Sequence, residues 1–167
     1  MAKKQKTIEA EGVVEETGKD YVSSLVLIPA WAVDSITSGK STRVICEING
    51  FSFPCALRPQ KGGVNYVISL SLQKAKKAKV ADGMKVMVKI TPDVSEYGYP
   101  TPEEFAEFLD QDPELKTMFD SLPASYQRGW LYYIGEAKSV DTRIKRCLLI
   151  SQRVREEIAK RQLGGDL

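Results

Sequence analysis

Asn49-Gly50 stands between two β-rich runs, Thr42 to Ile48 and Phe51 to Leu57. A two-residue type I′ turn needs positive φ at both central positions, which asparagine and glycine tolerate best, so the pair predicts a tight hairpin. The turn fixes the register, with Ile48 opposite Phe51, Cys46 opposite Phe53 and Val44 opposite Cys55. One face then carries Val44, Cys46, Ile48, Phe51, Phe53, Cys55 and Leu57. The other carries Arg43, Glu47, Asn49, Ser52 and Arg58, with Ile45, Pro54 and Ala56 among them. Such a period of two means one buried face and one wet or lightly covered face. At roughly 1.5–3 kcal/mol per large apolar side chain buried, this hairpin belongs to a core.

The flanking segments extend the β pattern. Thr7 to Glu16 alternates loosely and predicts an exposed or edge strand with Ile8, Ala10, Gly12 and Val14 on one face. After a turn at Gly18-Lys19-Asp20, Tyr21 to Ile28 predicts a strand, and Pro29 to Val33 a short helix opened by its proline. Beyond the loop Pro59 to Gly63, the residues Val64, Tyr66, Ile68 and Leu70 share a strand face. Ser71 to Lys79 predicts a short basic helix, and Asp82-Gly83 turns into a last strand with Met84, Val86, Val88 and Ile90 inward. Six short strands with frequent turn signals predict a small, mainly antiparallel barrel, closed or half-closed.

The period then changes from two to 3.6. Thr91 to Pro102 holds three prolines, a glycine and two tyrosines, the composition of a linker. Thr101-Pro102-Glu103-Glu104 has the form of a capping box, followed by Phe105, Phe108 and Leu109 on one helical face. Asp112-Pro113 predicts a second helix with Leu115, Met118 and Phe119. A longer helix from about Pro123 to Lys138 groups Tyr126, Trp130, Tyr133, Ile134 and Ala137. A last helix, capped by Asp141 or Thr142 and ending before Gly164-Gly165, carries Ile144, Cys147, Leu148, Val154 and Ile158. The expected fold class is therefore α+β: a six-stranded barrel over residues 1–92, a linker over 93–102 and about four helices over 103–163.

Composition narrows the function classes. With 43% hydrophobic and 28% charged residues the chain resembles ordinary globular proteins. The basic start, Met1 to Lys6, is followed by no apolar stretch, and no run approaches the roughly 20 apolar residues of a membrane span. Three cysteines, an odd number, suit a reducing compartment, and a cytoplasmic location is expected. On the hairpin register Cys46 and Cys55 are diagonal neighbours about 7–8 Å apart, which predicts two core thiols. The chain has no histidine, so it lacks the commonest metal ligand and general base. No metal or other cofactor is expected, and no nucleophile stands beside a base. Net charge is +6 over residues 1–92, −8 over 93–124 and +4 over 125–167, a division that suits docking within the chain as well as an outside partner.

Three constellations invite a functional reading. Ser38-Gly39-Lys40-Ser41-Thr42 resembles the end of a phosphate loop, but Asp34 occupies the position of the first glycine and a strand follows instead of a helix. A helix stop and turn accounts for it better. At a predicted helix N-terminus, Lys138, Thr142, Arg143 and Arg146 are candidates to hold an anion, a phosphate or a carboxylate. The same arginines would equally serve as salt bridges to the acidic helices. Lys74, Lys76, Lys77 and Lys79, with Lys85 and Lys89 near, are candidates for a nucleic-acid face, against which a solvated helix surface is the simpler account. Trp31, Tyr97 and Tyr99 are candidates for a ligand mouth or for packing.

Two sets of motifs carry a family resemblance. The order Leu27-Ile28-Pro29, helix, Ile48-Asn49-Gly50, Phe53, glycine-bearing loop, basic helix and Asp82-Gly83 resembles a bacterial β-barrel domain of unknown function. Pro102-Glu103-Glu104, Asp112-Pro113, Phe119, Tyr133-Ile134, Ala137-Lys138, Thr142-Arg143 and Arg146 resemble the tail of the YdeI/OmpD-associated, or bacteriocin-protection, family. The resemblance implies a barrel with a helical tail, no established reaction and an association with resistance to antimicrobial peptides. The expected function is a non-enzymatic binding module that holds a small anionic ligand or a peptide between barrel and tail. A nucleic-acid-binding protein and an enzyme of undetermined reaction are the alternatives.

Overall fold

A computed structural model describes residues 6–19, 21–37, 39 and 42–164. The chain divides into two compact units, residues 1–94 and 95–167. The first is a closed barrel of six antiparallel strands: β1 (Ile8–Glu16), β2 (Ser24–Pro29), β3 (Thr42–Ile48), β4 (Phe51–Pro59), β5 (Asn65–Leu70) and β6 (Lys85–Pro92), in the order β1-β2-β5-β4-β3-β6. Helices α1 (Ala30–Thr37) and α2 (Leu72–Lys77) interrupt the strands.

The Asn-Gly turn forms as expected, with φ of 50° at Asn49 and 77° at Gly50. The pairs Ile48–Phe51, Cys46–Phe53 and Val44–Cys55 follow from it. Val44, Cys46, Ile48, Phe53, Cys55 and Leu57 are buried, joined in the core by Val26, Ile28, Ile68, Leu70, Val88 and Ile90. Phe51 is half-buried at the rim and stacks on Phe53. With Ile48 and Phe51 bracketing a two-residue turn, alternate pairs exchange hydrogen bonds, and the amide position of Pro54 falls on the side turned away from β3. Proline has no N–H to offer there. In keeping with this, β4 pairs with β5 only at Arg58–Val67 and Pro59–Tyr66.

Several boundaries and faces differ from expectation. β1 is no edge strand, since it pairs with both β2 and β6; closing the barrel removes the edge that its loose alternation suggested. Tyr21 precedes β2 and is exposed, Pro29 ends that strand instead of opening a helix, and α1 runs on to Thr37. Val64 is exposed before β5, and Met84 sits in the turn before β6, its N–H donating to the Ala81 carbonyl. Of the phosphate-loop-like segment, Ser38, Lys40 and Ser41 lie outside the described residues, as do Asp20 of the first predicted turn, Met1 to Gln5 and Gly165.

The second unit contains α3 (Glu103–Gln111), α4 (Pro113–Asp120), α5 (Ala124–Gly135) and α6 (Val140–Gly164). Phe105, Leu109, Leu115, Phe119, Leu131, Ile134, Cys147, Ile150 and Val154 form its core. Two faces are rotated from the expected ones. α5 buries Gln127, Leu131 and Ile134, while Tyr126 and Tyr133 are exposed; α6 buries Cys147, Ile150 and Val154, while Ile144 and Leu148 are exposed. Aromatic residues dominated the apolar pattern of α5, but its inner face is completed by a polar side chain. Gln127 Nε2 donates to the Phe119 carbonyl at 2.9 Å, adding to the bond which that carbonyl takes from the Leu122 N–H at the end of α4.

Caps define the helix starts. Asp112 accepts from the Leu115 N–H at 2.9 Å, as expected for α4. Pro102, and not Thr101, occupies the cap position of α3, with no side-chain cap bond. Ser139, and neither Asp141 nor Thr142, accepts from the Thr142 N–H at 3.2 Å before α6. The register of β1 generates a test. A Cβ on Gly12 would lie 2.7 Å from Val26 Cγ1 and 3.3 Å from the Leu27 carbonyl oxygen. Gly12→Ala is therefore expected to cost roughly 1–3 kcal/mol by overpacking, read as a lower urea midpoint at unchanged slope.

Candidate binding site

The helical unit carries an open pocket of about 400 Å³ lined by Tyr99, Pro100, Thr101, Pro102, Glu103, Glu104, Gly135 and Arg143. Its position follows from local sequence. Pro100 and Pro102 hold the segment before α3 extended, which presents Tyr99 beside the end of α5. Gly135 leaves room there: a Cβ on it would sit 3.6 Å from Tyr99 Cε1 and Oη, an ordinary contact. Tyr99 is steadied by an edge-on contact with Tyr132, ring centroids 5.8 Å apart.

Arg143 closes one side. Its Nε donates to Glu104 Oε1 at 2.8 Å and its Nη1 to the Ala137 carbonyl at 3.0 Å, with the Lys138 carbonyl at 3.5 Å. The arginine and Glu104 are both mostly shielded from water, at 24% and 15% side-chain exposure. The Glu104 carboxyl is held below the usual carboxylate range by a bond from its own backbone N–H and by the Arg143 guanidinium. Glu103, by contrast, is exposed and has no ion-pair partner among the described residues. Burial raises the Tyr99 phenol above its ordinary value, and the nearby Glu136 carboxylate adds to the rise. The pocket therefore combines an aromatic wall, a pair of prolines, an unneutralised carboxylate and an arginine already bound to a second carboxylate.

The four residues expected to hold an anion have separate duties. Arg143 makes the bridge just described. Arg146 donates to the Tyr133 carbonyl and lies 4.4 Å above the Tyr133 ring. Thr142 Oγ1 accepts from Ser139 Oγ at 2.8 Å, and Lys138 is exposed. Of the four, only Arg143 lines the pocket. An anion that engaged Arg143 there would compete with Glu104. Of the expected ligand-mouth aromatics, Tyr99 lines this pocket and Trp31 is exposed on α1. Tyr97 is buried, donating to Asp120 Oδ1 at 2.6 Å and accepting from Lys116 Nζ at 3.0 Å. Burial and the Asp120 bond push its phenol up to about 12, the setting of a structural tie.

On the barrel unit, Lys74 Nζ lies 5.2 Å from the Phe53 ring centroid and Lys77 Nζ 5.7 Å from that of Phe51. Lys76 and Lys79 are exposed, Lys79 with a φ of 53°. Lys85 and Lys89 are engaged with Glu11 and Glu47. Aromatic rings do lie beneath two of these lysines, a pairing hidden in the sequence because each lysine is more than 20 residues from its ring. Among the described residues no cluster of three metal-ligating side chains occurs, and no helix is long and apolar enough to cross a membrane. The Cys147 thiol is pushed up to about 11 by burial and by the Glu104 charge, which disfavours a nucleophilic thiolate.

Comparison with known families divides the chain at the same place as the fold. Residues 11–90 match the model of a domain of unknown function, DUF1905, and residues 99–155 match that of the bacteriocin-protection, YdeI or OmpD-associated family. The chain is a fusion of these two families. No curated protein matches it. The whole pocket falls within the bacteriocin-protection segment. Its glutamates are legible as part of the Pro102-Glu103-Glu104 motif, although their sequence reading as a cap concealed two different fates. Glu104 is spent on Arg143, whereas Glu103 faces water.

The bridge sets a pH dependence. Because the folded pKa of Glu104 is depressed, its contribution to stability is fully present above the ordinary glutamate value of about 4.5 and is lost as pH falls through the folded value. Thermal midpoints of the wild type should therefore fall more steeply on acidification below that value than those of Glu104→Gln. At neutral pH Arg143→Ala should lower the midpoint of the helical unit, since it strands Glu104 and frees the Ala137 carbonyl.

Proposed function

We propose that the helical unit is a non-enzymatic peptide-binding module whose pocket receives a basic side chain. The observation that carries this reading is the charge state of the pocket. Its one arginine is already neutralised by Glu104, while Glu103 has no cationic partner among the described residues. A lysine or arginine entering beside Glu103 gains a carboxylate and the Tyr99 ring, and cation–π attraction of roughly 0.5–2 kcal/mol is available there. Prolines at 100 and 102 pre-order the wall and reduce the entropy lost on binding. The size is suitable too, since about 400 Å³ lies within the usual range for small-ligand sites.

The name of the bacteriocin-protection family supports placing this module in the defence of a bacterial cell against antimicrobial peptides. In this reading the protein is cytoplasmic. Three thiols with no disulfide among them suit that compartment. The partner is then a peptide with at least one exposed basic residue, and the small anionic ligand is the weaker form of the proposal. Nucleic acid is a second reading for the barrel unit. It is favoured by the placement of Lys74 and Lys77 over Phe53 and Phe51, and steep loss of binding with added salt would mark it.

Calorimetric titration with short peptides tests the pocket. A lysine-bearing peptide should bind more tightly than its glutamate counterpart. Glu103→Gln should weaken it about 2- to 5-fold, as expected for an exposed ion pair. Gly135→Leu should fill the space beside Tyr99 and weaken binding further without unfolding the protein. Equal affinity for basic and acidic peptides, or indifference to Glu103→Gln, would reject the basic-side-chain reading.

A further inference from the structure

Cys46 and Cys55 have no part in the pocket, yet they are the two closest reactive groups inside the barrel. Their Sγ atoms are 3.3 Å apart. The flat-sheet spacing expected for diagonal neighbours therefore does not describe their side chains. Cys46 faces Phe53 and Cys55 faces Val44, and the twist of a closed barrel draws one diagonal of each such pair together. Both thiols are free and buried, although Cys55 retains 7% exposure and Cys46 none.

The wall beside Cys55 is also the least laced part of the barrel. β4 bonds to β5 only near Arg58 and Pro59, and the N–H that a residue other than proline would present at position 54 is absent. Lys74 of α2 lies above the ring of Phe53 on the same strand. A hydrogen bond shared with Cys46 favours a thiolate at Cys55 most, Lys74 and Arg43 add to it, and burial and Asp93 oppose it. The same hydrogen bond, together with burial, pushes Cys46 up. Cys55 is thus the thiol with the exposure and with two cations near it, and Cys46 stands behind it.

We propose that Cys46 and Cys55 form a reversible intrachain disulfide when the protein meets hydrogen peroxide. The Cys55 thiolate attacks one peroxide oxygen, the O–O bond breaks, and the other oxygen leaves as water after taking up a proton. Cys55 is then a sulfenic acid. Cys46 attacks its sulfur, the S–S bond forms, the S–O bond breaks, and hydroxide departs as water with the Cys46 proton. The two thiols give up two electrons and two protons, and the peroxide is reduced to two waters. A dithiol reductant reverses the bridge by thiol–disulfide exchange. The product ties β3 to β4 around the Asn49-Gly50 turn and closes a short loop in the barrel wall.

Exposure of the folded, full-length protein to excess hydrogen peroxide, followed by alkylation in denaturant, tests this directly. Intact mass should fall by two hydrogens before alkylation. Peptide mapping should recover Cys46 linked to Cys55, with Cys147 alkylated. Dithiothreitol should restore three alkylatable thiols, and the oxidised form should unfold at a higher temperature than the reduced one. Cys46→Ser should convert the reaction into accumulation of Cys55 sulfenic or sulfinic acid in a monomeric chain. The wild-type mass decides the matter even if that variant fails to fold. Three alkylatable cysteines after peroxide, oxygen added to Cys55 of the wild type without a crosslink, a bridge formed only in denaturant, or bridges only between chains would each overturn the proposal.

Discussion

The guanidinium of Arg143 is the interaction on which the helical unit most depends. Reaching from α6, it binds the Glu104 carboxylate on α3 and the carbonyl of Ala137 just past α5. One side chain thus ties three of the four helices at the point where the pocket opens. A partly shielded charge pair of this kind is costly to break from one side, because the remaining charge and carbonyl lose their partners. It also decides what the pocket can attract. With its cation already matched, the site presents Glu103 and a phenol ring, which is why the ligand proposed for it is a cation.

The rest of the unit is arranged around that point by similar local ties. Lys116 reaches Tyr97, Asp120 and Glu96, fixing the segment that leads to Tyr99. Arg155 bonds Asp112, which also caps α4. Thus the acidic stretch from 93 to 124 and the basic one from 125 to 167 are partly matched within the unit, and the charge division of the sequence has an internal cause. Glu103 is left out of this matching, which makes it the most informative acid of the set. In the barrel unit the governing constraint is different. The Asn49-Gly50 turn sets one register, and the register settles which thiols, rings and prolines share a wall.

Legibility from sequence followed the strength of the local rules. The hairpin could be read residue by residue because period two and a two-residue turn leave a single register. Asp112 could be read as a cap because its side chain acts within three residues. The faces of α5 and α6 were misplaced because tertiary packing overrode the count of apolar residues: Gln127 earned a buried place through a carbonyl of α4, while Ile144 and Leu148 stayed exposed. The Glu104–Arg143 bridge spans 39 residues, and the sequence supplied both partners without the distance between them. The Cys46–Cys55 contact depended on barrel twist, which flat-sheet spacing omits. Tyr99 stands out as an aromatic just before two prolines, but Gly135, which gives it room, carries no signal of its own.

The sign of the charge that the pocket prefers separates a site for basic side chains from a site for anions. Nuclear magnetic resonance of the isotopically labelled full-length protein, titrated separately with acetylated lysine amide and acetylated glutamate amide, reads that sign at the residues concerned. Saturable shifts are expected at Tyr99, Glu103 and Gly135 with the lysine derivative, reduced by salt, and little change there with the glutamate derivative. Saturable shifts at Arg143 and Thr142 with the glutamate derivative, and none at Tyr99 or Glu103 with lysine, would contradict a pocket for basic side chains.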